Sequence, residues 1–83
     1  MIFHWDDENL AHIAYHEVTK TQAAMAFQAE DATFRRDAKR LNRWVLEATL
    51  EGRTIKVAFA QVFPVGYRVI TAHWMSTKRR SKP

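Results

Sequence analysis

Trp44-Val45-Leu46-Glu47-Ala48-Thr49-Leu50-Glu51-Gly52-Arg53-Thr54-Ile55-Lys56-Val57-Ala58-Phe59 is the stretch that decides the fold. Trp44, Leu46, Ala48 and Leu50 share one side of a period of two, and Arg43, Val45, Glu47 and Thr49 share the other. Ile55, Val57 and Phe59 then alternate with Thr54, Lys56 and Ala58. Period two places alternate side chains on opposite faces of a strand. Glu51-Gly52 between the two runs is a two-residue hairpin turn, with Gly52 supplying the positive φ such turns need.

Toward the C-terminus, Pro64-Val65-Gly66 breaks the chain, and Tyr67 to Trp74, with β-branched Val69, Ile70 and Thr71, predicts a further strand. Residues 75–83 form a basic tail. Toward the N-terminus, residues 30–39 are polar and predict a loop. Thr19 with Gln22 three residues on is a capping box, opening a helix from about Thr19 to Ala29 whose Met25 and Phe27 suit a core. Asp6 can cap an earlier helix with Leu10, Ile13 and Ala14 as its apolar stripe, ending near His16. Ile2, Phe3 and Trp5 predict a short strand over Met1 to Trp5. One strand, two helices and three strands imply an α+β fold: an N-terminal strand and a two-helix hairpin packed on a mostly antiparallel sheet. The 83 residues suffice for one domain and bury a modest core, so a partner chain would help the fold.

Charge is unevenly divided. Residues 1–31 carry six acids and one base, a sum of −5; residues 32–83 carry twelve bases and three acids, a sum of +9. The basic half suits a polyanion, or an acidic protein surface. It holds two clusters, Arg35, Arg36, Lys39, Arg40 and Arg43, and Lys78, Arg79 and Arg80 with Lys82. Such groups give RNA affinity through phosphates. Arg53 and Lys56 extend the basic set along the sheet, and Trp74 beside the tail can stack a base. Trp44 shares parity with Leu46 and suits the core better. The chain has no cysteine, which fits a reducing cytoplasm; no signal peptide and no membrane span are expected. The two glycines stand in separate turns rather than in a phosphate-binding loop, so no nucleotide cofactor is expected.

Several strings in order resemble the BrnT family of type II toxins: Phe3-x-Trp5-Asp6, Asn9, His16-x-Val18-Thr19, Gly52-Arg53, and Arg68-Val69-Ile70-Thr71-Ala72 ahead of a basic tail. The resemblance spans nearly the whole chain. It implies a RelE/ParE-like fold and a metal-independent endoribonuclease that blocks translation by cutting messenger RNA, on the ribosome or free. It also implies a cognate antitoxin that neutralises the toxin in a hetero-oligomer and alone carries the pair to operator DNA. The chain departs from the family where Glu17 stands for a common Gly and His73 for a common Arg.

Cleaving RNA without a metal requires proton transfer and stabilisation of charge on phosphorus. His73 suits the first and Arg68 the second, so both are candidate catalytic residues. Their parity differs, and a bulge is required to bring them to one face. A surface arginine and a strand-end histidine are the plainer reading. His12 and His16 have the i, i+4 spacing of a zinc pair without further ligands at metal spacing, and no metal site is expected. Two further functions fit the same residues: an inactive binding module that acts with an antitoxin in repression, and a small RNA-binding protein with no antitoxin.

Overall fold

Asp6, with an extended backbone, caps the first helix, and its carboxylate accepts the Asn9 amide at 2.8 Å. In the computed structural model, which describes residues 2–75, α1 (Asp7–Tyr15) is followed by α2 (Lys20–Ala26), β1 (Thr33–Arg36), β2 (Trp44–Leu50), β3 (Arg53–Gln61) and β4 (Tyr67–Trp74). The Thr19–Gln22 capping box forms with both of its hydrogen bonds at 3.0 Å. Glu17 takes a φ of 63°, the left-handed conformation in which a helix end commonly places glycine.

The four strands form an antiparallel meander in chain order. The Glu51–Gly52 hairpin has positive φ at both turn residues, 54° and 77°, which matches the twist of the flanking strands. The helices cover one face of the sheet. Ile13, Val18, Ala23, Ala26 and Phe27 pack there against Leu46, Ile55, Val57, Phe59, Val69 and Ala72, all nearly inaccessible. Fully burying one such aliphatic side chain contributes about 1.5–3 kcal/mol, so this layer is the main source of stability.

Four expectations require correction. The N-terminal strand is reduced to one parallel bridge, Phe3 to Tyr67, because the chain leaves β4 at Asp6 to enter α1. Thr33–Arg36, expected as loop, is an edge strand. α2 stops at Ala26, which turns Phe27 into the core while leaving Met25 half exposed. In α1, Ile13 is buried but Ala14 faces solvent. Among the described residues no helix is long and apolar enough to cross a membrane. The basic tail, with Lys78, Arg79 and Arg80, lies outside the described residues.

Candidate functional site

β4 does not pair regularly with β3. Phe59 faces Val69 and Ala58 faces Thr71, so Ile70 is an extra residue on β4, a β-bulge. One added residue reverses the parity of everything beyond it. Arg68 is opposite Ala60 and His73 opposite Lys56, and both therefore belong to the sheet face turned away from the core. The bulge thus puts the two candidate residues on one face.

It does not bring them together. Two pleats separate them, roughly 13 Å along the strand. At one end of β4, Arg68 donates to the Asp6 carboxylate at 2.6 Å. Asp6 is held below the usual carboxylate range, first by the Asn9 amide and then by Arg68. The guanidinium is therefore committed to the cap of α1.

At the other end, β4 meets the C-cap of α1. The His73 ring stands 5.8 Å from that of His16, centroid to centroid, and His12 stacks on His16 at 6.4 Å. Lys56 is the cross-strand neighbour of His73. Burial lowers the His73 pKa below its ordinary 6.5, and His16 and Lys56 push it the same way. At neutral pH His73 is consequently an uncharged imidazole, able to accept a proton. Among the described residues no three His, Asp or Glu side chains converge as a metal site. Sequence reasoning missed the contribution of His16, because the sequence shows a helix-ending histidine but not which strand it meets.

The expected RNA-binding residues divide into two groups. Arg53 and Lys56 lie near the histidines. Arg53 sits 4.0 Å over the ring of Trp74, whose indole N–H donates to the Glu17 carbonyl. Trp74 thereby locks the end of β4 to the end of α1 and has one ring face covered. Arg36, Lys39, Arg40 and Arg43 belong to the β1–β2 hairpin, which begins where Trp44 pairs with Phe59, three residues or roughly 10 Å along β3 from Lys56. Arg35 is paired with Glu47 at 3.2 Å, and Arg36 lies 5.3 Å over the Trp44 ring. Two residues order this loop. Asp37 accepts the Lys39 amide at 2.8 Å, and Asn42, at φ 52°, exchanges two 3.0 Å hydrogen bonds with the Gln61 backbone. Trp44 is half buried against the core, close to expectation.

The chain matches no family model and no curated protein.

Proposed function

We propose that this protein is a toxin-type endoribonuclease that needs no metal, with His73 and His16 as its proton-transfer pair. The observation that carries the reading is the approach of the two imidazoles beside Lys56. RNA supplies its own nucleophile. His73, neutral, takes the proton of the 2′-hydroxyl. That oxygen bonds to phosphorus, and the bond to the 5′-oxygen breaks. His16, in its protonated form, gives the leaving oxygen its proton, and a 2′,3′-cyclic phosphate results. Lys56 offsets the negative charge that grows on the phosphate oxygens. Arg68 serves as a positioning residue through Asp6.

An antitoxin belongs to the same reading, as does operator DNA reached through it. The β1 edge offers unpaired backbone groups over four exposed residues, a place where a partner strand can add. A second reading, an inactive binding module, draws its support from the Asp6–Arg68 pair, which engages the arginine that shares a sheet face with His73.

The test is incubation of the purified chain with short single-stranded RNA and analysis of the new ends. Cyclic phosphate ends, absent with His73→Ala and with His16→Ala, support the ribonuclease. Intact RNA with a folded, RNA-binding protein supports the binding module.

A further inference from the structure

The end of the sheet that carries the basic hairpin also carries a concavity that the proposed chemistry leaves unused. α2 stops short of it, so the helix-bearing face is uncovered there. Phe34, Trp44, Phe59, Gln61 and Tyr67 line a notch of about 210 Å³. That is below the roughly 300–1,000 Å³ of sites for drug-sized ligands and suits a single planar ring system.

Its walls are held in place. Phe59 is 3% exposed and meets Phe34 edge-on at 6.1 Å and Tyr67 edge-on at 5.5 Å. Phe27 braces all three from beneath, with centroids at 6.2, 4.8 and 5.6 Å. Phe34 is nevertheless half exposed, so its ring is offered to solvent. A rigid aromatic ring with an open face is what base stacking requires, and it loses little entropy on binding. Polar groups are present as well. Both backbone groups of Gln61 are taken by Asn42, while its side-chain amide is free of hydrogen bonds among the described residues. An amide that both donates and accepts can address the edge of a base.

Charge decides what kind of ring belongs there. Arg36 lies over Trp44 at the rim, and Lys39, Arg40 and Arg43 follow in the adjoining loop. A ring attached to phosphates on both sides matches aromatic walls with a cationic margin; an apolar peptide side chain does not need that margin. We propose that this notch is a subsite for one unpaired nucleobase of single-stranded RNA. The proposal rests on the RNA reading above and extends it to substrate class: an RNA whose bases are splayed, not a duplex. Lys56 and His73 lie toward the other end of the sheet and on its opposite face, so the base held here belongs to a nucleotide away from the scissile phosphate.

The test compares binding of the full chain to a short single-stranded RNA and to an abasic strand of equal length, by fluorescence anisotropy. Phosphate contacts are common to both strands, so their affinity ratio isolates the base. Wild type is expected to prefer the base-bearing strand about tenfold, within the range for one stacked base. Phe34→Ala should remove most of that preference and leave binding to the abasic strand unchanged. Gln61→Ala, at an exposed position, should reduce it in part and covers the case in which Phe34→Ala does not fold. Equal affinity of wild type for the two strands, with steep salt dependence, overturns the notch and leaves the RNA reading standing. Binding to neither strand overturns both. A preference that survives both substitutions places base recognition outside the notch and overturns the proposal.

Discussion

His73 and His16 face each other where the end of β4 meets the C-cap of α1, with ring centroids 5.8 Å apart. Neither reaches that position by local sequence alone. The bulge at Ile70 turns His73 outward, and the Trp74 hydrogen bond to the Glu17 carbonyl ties its strand to the helix end.

Removing His73 should have a pH signature in folding. Its pKa is below 6.5 in the folded chain, chiefly through burial, so the unfolded chain takes up this proton first as the pH falls. Stability is therefore full above pH 6.5, declines from there down to the folded pKa, and levels below it. Asp6, Asp31 and Asp37, whose pKa values are lowered from 3.8, act in a separate and more acidic window. Denaturant midpoints at about pH 7.5 and about pH 5.5 should differ less in His73→Gln than in wild type. An identical difference in both would show that His73 is not desolvated.

Arg68 should be dispensable for the chemistry. Its pair with Asp6 is partly exposed, so Arg68→Ala should cost no more than about 1 kcal/mol. Asp6→Ala also loses the cap of α1 and should cost about 1 kcal/mol from that source alone. Thermal unfolding measures both. A cleavage rate reduced as much by Arg68→Ala as by His73→Ala would return Arg68 to the reacting centre.

Glu17→Gly should stabilise the chain. A non-glycine residue at φ 63° carries strain that glycine avoids, while the carbonyl that receives Trp74 is retained. The expected gain is about 0.5–1 kcal/mol, a rise of several degrees in Tm for a domain of this size. A fall in Tm would mean that the Glu17 side chain contributes more than its backbone costs.

Asn42→Ala should act at a distance from the histidines. It removes both hydrogen bonds to the Gln61 backbone and places alanine at φ 52°. A loss of about 1–3 kcal/mol is expected. RNA affinity should fall as well, because Arg40 and Arg43 lose their fixed loop. Retained stability and affinity would show that the loop needs no such anchor.

The sequence disclosed the elements that bury one face. Residues 44–59 alternate because Leu46, Ile55, Val57 and Phe59 are inside while Lys56 and Ala58 are not. Thr33–Arg36 was illegible as a strand because all four residues are exposed; it is held by its backbone ladder to β2 and by the half-exposed Phe34 against Phe27 and Phe59, too little for an apolar alternation. The bulge was legible only as a requirement. Ile70 looks like any β-branched strand residue, and its extra place shows only in the pairing with β3. The candidate site was half legible for the same reason: His73 stood out by its chemistry, whereas His16 and Lys56 join it through tertiary contacts.

The most direct test of the account is the rate of RNA cleavage as a function of pH for wild type, His73→Ala and His16→Ala. The rate should rise through a pKa below 6.5 in wild type and fall by about 10²–10⁴-fold in each variant. Cleavage that is unaffected by both substitutions, or that shows no acid limb, would contradict it.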